Sequence, residues 1–264
     1  MRYTRQGVSL EYDDIGNGVP LLLIHAFPLD RTLWRAQIAG LASIYRVVAP
    51  DLRGFGRSSE TTGEAVSMEQ YAADLKSLLD SLNIKQAVVG GISMGGYIAL
   101  AFYAQYADRV KGLLLANTRT TPDTEEGKQT RLANAQKIDD TGPRFLIESM
   151  ALQMLGSAAK SEIEITVRSM MLRQRAPGLM SALRGMAARP DRTSLLRFAT
   201  VPILIITGSE DKLIPPADSE AMHALIPDST LVNIPAAGHL SNIDKADAFN
   251  QAVREFHSRL VSNE

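Results

Sequence analysis

The sequence predicts an α/β fold: a mostly parallel central sheet with helices on both faces and an inserted helical segment. Three observations carry this. Short continuous apolar runs recur along the chain, as expected of strands buried on both faces. Helix-period patterns lie between them, which is the alternation of βαβ units. From about residue 119 to 197 the strand patterns stop, and then they resume. A chain of 264 residues can hold this as one large domain, burying roughly three-quarters of its unfolded surface.

The elements follow in order. Val8 to Asp14 alternates like a half-buried strand, and Gly16-Asn17-Gly18 turns the chain. Pro20 to Ile24 (PLLLI) is the first continuous apolar run, followed by Tyr45 to Ala49, Gln86 to Val89 and Val110 to Leu115. Late runs are Val201 to Ile206 and Thr230 to Ile234. Met68 to Leu82 carries an apolar stripe at helical spacing, with Ser67 placed to cap it. Met94 to Tyr106 and Ala246 to Leu260 also read as helices. Between residues 119 and 197, four or five helices are punctuated by Gly142-Pro143, Gly156, Pro177-Gly178 and Pro190. Strands return afterwards, so this segment is inserted into the core and not appended to it.

Composition narrows the function. A net charge of −1 argues against nucleic acid as the main partner. The absence of cysteine excludes disulfides, thiolate catalysis and zinc–cysteine sites. No apolar stretch has the ~18 to 20 residues needed to span a bilayer, and the N-terminus has no signal-peptide pattern. The chain reads as soluble and cytoplasmic. It has no G-x-x-x-x-G-K-[ST] phosphate loop and no H-x-x-x-H pair for a metal, so no cofactor or metal is expected.

Gly91-Ile92-Ser93-Met94-Gly95 matches G-x-S-x-G between a predicted strand and a predicted helix. That setting exposes a serine nucleophile on a sharp turn. The turn strains the serine backbone and admits only very small residues two positions to either side. It also places the serine at a helix N-terminus, where the Met94 N–H is free to donate to an oxyanion. A glycine-rich packing turn is the competing reading.

A serine hydroxyl needs a base. Of the four histidines, His223 and His257 fall within predicted helices. His239, in AAGHL after the last strand, can reach the carboxyl edge of the sheet, where ligands bind in such folds. An acid must orient that histidine. Asp211, in GSED after the Val201–Ile206 run, is the candidate, with Glu210 as rival. The other strand-end loop, Asn117-Thr118, offers no carboxylate there. The loop after PLLLI reads His25-Ala26-Phe27-Pro28. Its Phe27 N–H is the candidate second oxyanion donor, and His25 reads as scaffold.

These stretches, with Asp51-Leu52-Arg53-Gly54-Phe55-Gly56-Arg57-Ser58, resemble the α/β-hydrolase superfamily over nearly the whole chain. The resemblance implies an α/β-hydrolase core of residues 1–118 and 198–264 with a helical lid at 119–197. It also implies that Ser58 is structural. A serine in the elbow looks like an esterase, lactonase or perhydrolase, since dehalogenases of the family carry aspartate there. Relatives often have a Glu-x-Pro pattern after the histidine; Asp244 and Ala246 stand in those places, away from the expected chemistry.

The expected function is hydrolysis of small to medium carboxylic esters, with Ser93, Asp211 and His239 as triad and Phe27 and Met94 as oxyanion donors. Lactone hydrolysis, cofactor-free perhydrolysis and a ligand receptor are the alternatives. Six of the ten methionines fall in the insertion, and Met150, Met154 and Trp34 are candidate pocket residues, with core packing the alternative for each. Arg168 to Arg197 holds seven arginines against one acid, Asp191. Such a run suits an anionic ester or an acidic carrier protein, or else a solvated face.

Overall fold

The computed structural model describes residues 1–226 and 228–262. Eight strands occur among these residues: β1 Arg2–Arg5, β2 Val8–Ile15, β3 Val19–Ile24, β4 Tyr45–Pro50, β5 Ala87–Ile92, β6 Val110–Ala116, β7 Ile203–Gly208 and β8 Thr230–Ile234. The helices are α1 Arg35–Leu41, α2 Met68–Ser81, α3 Met94–Gln105, α4 Glu125–Thr141, α5 Arg144–Ala151, α6 Ser161–Leu172, α7 Ala176–Ala187, α8 Thr193–Arg197, α9 Pro216–Leu225, α10 Ser241–Asp244 and α11 Ala246–Ser262.

The strands form one sheet in the order β1-β2-β4-β3-β5-β6-β7-β8. β1 and β2 pair antiparallel, as do β2 and β4, and the other pairs are parallel. The apolar runs do what a two-sided strand must. Leu22, Ile24, Val89, Leu113 and Leu115 join one core, while Leu21, Leu23, Val88 and Leu114 join the core on the opposite face. The first core includes Tyr71, Leu75 and Leu78 of α2 and Ile98 and Phe102 of α3. The second includes Leu41 of α1 and Phe249, Val253 and Phe256 of α11. Ser67 closes a capping box with Gln70 at the start of α2.

β1 is absent from the sequence expectation because it is short, polar and largely exposed, with no apolar run to announce it. It pairs through the two-residue turn Gln6-Gly7, whose φ values of 49° and 81° suit a hairpin. β5 runs past its expected end to Ile92, so Gly90 and Gly91 belong to the strand.

β3 sits between β4 and β5, and the sheet grows outward in opposite directions from there. The loops leaving the carboxyl ends of β3 and β5 therefore diverge and leave a crevice, which is where ligands bind in open α/β sheets.

Between β6 and β7 the chain is helical, α4 to α8. Close backbone contact seats these helices on the core. A Cβ on Gly178 of α7 would overlap the Gly54 backbone, and one on Gly185 would overlap the Val66 carbonyl. Asp123, ahead of α4, is ion-paired to Arg119 (3.0 Å), Arg131 (2.5 Å) and Arg189 (2.8 Å).

Six of the seven arginines from Arg168 to Arg197 have partners. Arg168 pairs with Glu164, Arg173 with Asp30, Arg175 with Glu60, Arg189 with Asp123 and Arg192 with Glu69, while Arg184 donates to the Gly63 carbonyl. These charges tie the insertion to itself and to the core. No helix among the described residues is long and apolar enough to cross a membrane.

Candidate active site

Ser93 stands between β5 and α3 with φ 56° and ψ −118°, a conformation that strains any residue but glycine. Its surroundings hold it there. Its N–H donates to the Ala116 carbonyl at 2.9 Å, and the Thr118 hydroxyl donates to its carbonyl at 2.9 Å. The flanking glycines are a steric necessity: a Cβ on Gly91 would overlap the Gly95 backbone, and one on Gly95 would overlap the Ile24 carbonyl. The strain is testable. Ser93→Gly should melt about 2–4 °C above Ser93→Ala, because relief of about 1–3 kcal/mol of strain exceeds the glycine entropy penalty of about 0.5–1 kcal/mol. Equal melting temperatures would mean that the elbow stores no strain.

The structure brings His239 and Asp211 together. His239 Nδ1 lies 2.9 Å from Asp211 Oδ2 and 3.1 Å from Oδ1, and both residues are buried. Asp211 Oδ1 also accepts the Leu213 and Ile214 N–H groups at 2.9 Å each. Burial pushes the Asp211 carboxyl up. The bond and charge of His239, the Ile214 N–H and the Asn117 amide outweigh burial and hold it below the ordinary aspartate value. Glu210 turns elsewhere: its carboxylate accepts the Ser157 N–H at 2.6 Å and hydroxyl at 3.1 Å, tying this loop to the insertion. Among the described residues Ser93 Oγ makes no hydrogen bond, to His239 included. Nucleophile–base bonds are often open until a substrate is bound.

The loop after β3 lies against the elbow. A Cβ on Gly95 would come within 3.0 Å of the His25 carbonyl. The Phe27 N–H has no protein acceptor among the described residues. Met94 heads α3, and first-turn N–H groups have no acceptor within their own helix. His25 shapes this loop: its Nε2 accepts the Leu52 N–H at 3.1 Å, so Nδ1–H donates to the Ala26 carbonyl at 2.9 Å. Burial holds the His25 imidazole below its ordinary pKa, which suits this neutral form. The remaining histidines lie elsewhere. His223 bonds Ser229, and His257 packs edge-on against Tyr45. Ser58 donates to the Asp51 carbonyl and accepts the Glu11 N–H, a structural use.

The candidate pocket residues divide. Met150 lines a cavity of about 420 Å³ together with Phe27, Arg119, Arg131, Leu146 and Leu183. Trp34 does not line it: the ring is fully buried with Phe249 at 6.1 Å between centroids. Met154 lies beyond the end of α5 and is also fully buried, with its carbonyl accepting the Leu240 N–H. The opposite core needed both side chains to fill it. Met170, Met171, Met180 and Met186 are buried as well. A larger cavity of about 770 Å³ lies at the other end of β6 and β7, beside Val110 and Ile203, away from the proposed chemistry.

Two contributors were missed by the sequence reading. Asp244 Oδ2 accepts the Gly238 and Gly156 N–H groups at 2.8 Å each. It therefore braces the residue before His239 and joins that loop to the insertion. Asn117 reaches Asp211 directly, 2.9 Å from Nδ2 to Oδ2. The available signal was a polar pair, Asn117-Thr118, ending an otherwise apolar strand.

Comparison with known proteins agrees with this architecture. The family model for the alpha/beta hydrolase fold matches residues 19–246. A thermophilic esterase from Thermogutta terrifontis, solved with malate bound, is 39% identical, with a TM-score of 0.95, covering 98% of this chain and 99% of that one. The enol-lactonase from Burkholderia xenovorans LB400 is 28% identical, with a TM-score of 0.88, covering 98% and 100%. The 3-oxoadipate enol-lactonase 1 of Acinetobacter baylyi is 31% identical over 258 residues, 96% of this chain and 94% of its own. The chain belongs to the α/β-hydrolase fold family.

Proposed function

We propose that this chain is a serine hydrolase of small to medium carboxylic esters. Ser93 Oγ attacks the ester carbonyl while His239 Nε2 takes its proton. The carbonyl oxygen, now negative, is held by the N–H groups of Phe27 and Met94. Collapse of this intermediate breaks the bond to the alkoxide, which leaves with the proton from His239. Water then attacks the acyl-Ser93 ester, gives its proton to His239, and the acid departs as Ser93 regains a proton. Asp211 keeps Nδ1–H of His239 in place and stabilises the imidazolium. Residues 119–197 act as the lid over the site, with Met150 on its apolar wall.

The observation that carries this reading is the buried Asp211–His239 pair, formed across the strand ends from a strained serine at a helix N-terminus. Similarity to the Thermogutta esterase supports it. A lactone is the second reading, favoured by the two enol-lactonases, because ring opening needs the same attack. A panel of p-nitrophenyl esters of varied acyl length, run beside lactones and hydrogen peroxide, ranks the reactants. Stoichiometric labelling of Ser93 by a fluorophosphonate is expected. An unlabelled serine in folded protein would sink the nucleophile assignment and favour a ligand receptor.

A further inference from the structure

We infer that Asn117 is a positioning residue of the proposed triad, locking the Asp211 carboxylate in the plane that His239 needs. This rests on the hydrolase reading above. Asn117 directly follows β6, the strand between the serine strand β5 and the acid strand β7. It is fully buried and adopts φ 45°, a left-handed conformation that asparagine tolerates better than most residues. Its backbone N–H is anchored on the Ile206 carbonyl at 2.8 Å.

Every polar atom of its side chain is used. Nδ2 donates to Asp211 Oδ2 at 2.9 Å and to the Gly238 carbonyl at 3.3 Å. Oδ1 accepts the Ser241 hydroxyl at 2.5 Å. Both partners of Nδ2 are acceptors only, so a flipped amide would set oxygen against oxygen. One side chain thereby fixes the acid loop, through Asp211, and the histidine loop, through Gly238 next to His239. Its neighbour Thr118 holds the Ser93 carbonyl. The pair Asn117-Thr118 joins the three loops that must hold register for proton transfer.

Without Asn117, Oδ2 keeps only His239 as partner, while Oδ1 retains two backbone donors. The carboxylate is then held less firmly against twisting about Cβ–Cγ, and it becomes more basic through loss of a donor. The charged and titratable groups around the pair are few. Glu210 and Lys212 flank Asp211 on its own loop, and Asp244 and Lys245 follow His239. Glu210 and Asp244 are both bonded to the insertion, by Ser157 and Gly156.

The test uses Asn117→Gly, which keeps the left-handed backbone accessible, and Asn117→Asp, which keeps size but replaces the donor with a carboxylate. Each is compared with wild type by kcat and KM per fluorophosphonate-titrated site, and by the pH dependence of kcat/KM. The glycine variant is expected to lose about tenfold to a hundredfold in kcat, the scale of outer-shell orienting partners, with KM changed less than about twofold. The acid limb of kcat/KM should move to higher pH in both variants, further for Asn117→Asp, where two adjacent carboxylates cannot both ionise easily. Wild-type kcat per titrated site and an unmoved acid limb, whatever happens to the melting temperature, would overturn the inference. Failure of wild type itself to label or turn over would instead overturn the hydrolase reading beneath it.

Discussion

Ser93→Ala is expected to abolish ester turnover while leaving the fold intact. Removing one nucleophilic oxygen takes away the covalent route, and triad serines contribute about 10⁶-fold to kcat when the rest of the site is present. The residual rate should be about 10³ to 10⁴ above water, from the oxyanion donors and binding alone. The melting temperature should match wild type closely. Ser93 Oγ makes no protein hydrogen bond among the described residues, so its loss strands no partner. The strained φ of 56° is kept by alanine, which has the same backbone restriction. Turnover is measured on the best p-nitrophenyl ester from the panel, and folding by circular dichroism and thermal melting. Wild-type turnover in Ser93→Ala would move the chemistry to another group.

Asp123→Ala should lose about 3 kcal/mol or more of stability. The Asp123 carboxylate is buried and shared by Arg119, Arg131 and Arg189. Removing it leaves three guanidiniums together without their common counter-charge. Arg119 and Arg131, about a quarter exposed, can recover some hydration, but Arg189 is 4% exposed and cannot. Against a typical total of about 5–15 kcal/mol, the loss is large. Chemical denaturation measures it. Asp123→Leu combined with Arg189→Met should recover part of the loss, since removing both charges leaves no unpaired buried ion between them. A loss below about 1 kcal/mol would show that the cluster is effectively solvated.

The same residue predicts acid sensitivity. Burial pushes the Asp123 carboxyl up, but its bonds and charge interactions with Arg189 and Arg131 prevail and hold it well below the ordinary aspartate value. A depressed carboxyl contributes stability above its unfolded pKa of about 4 and loses it as pH falls toward the folded value. Between about pH 4 and pH 2, wild type should therefore lose more stability than Asp123→Asn, whose side chain does not titrate.

The core was legible because burial on both faces of a parallel sheet demands continuous apolar strands, and PLLLI, YRVVA and VKGLLL supply them. The elbow was legible because its steric demand falls on residues adjacent in sequence: Gly91 and Gly95 must be small for Ser93 to turn. His239 and Asp211 could be read from their positions after strands. β1 was hidden, since a short polar edge strand needs no apolar pattern when only one side is paired. Trp34 and Met154 were read as pocket candidates because hydrophobicity alone does not say which face of the sheet a side chain fills.

By itself, the sequence determined the alternation of strands and helices and the glycines that permit the turn at Ser93. These are local or periodic properties, carried by neighbouring residues. Tertiary structure alone decided that Asp211, not Glu210, meets His239, that Asn117 braces Asp211, and that Asp244 grips the loop before the histidine. It also decided which acids Arg168, Arg173, Arg175, Arg189 and Arg192 pair with. Each of these depends on where strand ends far apart in the chain come to lie, and hydrogen bonds and ion pairs act only over a few ångströms.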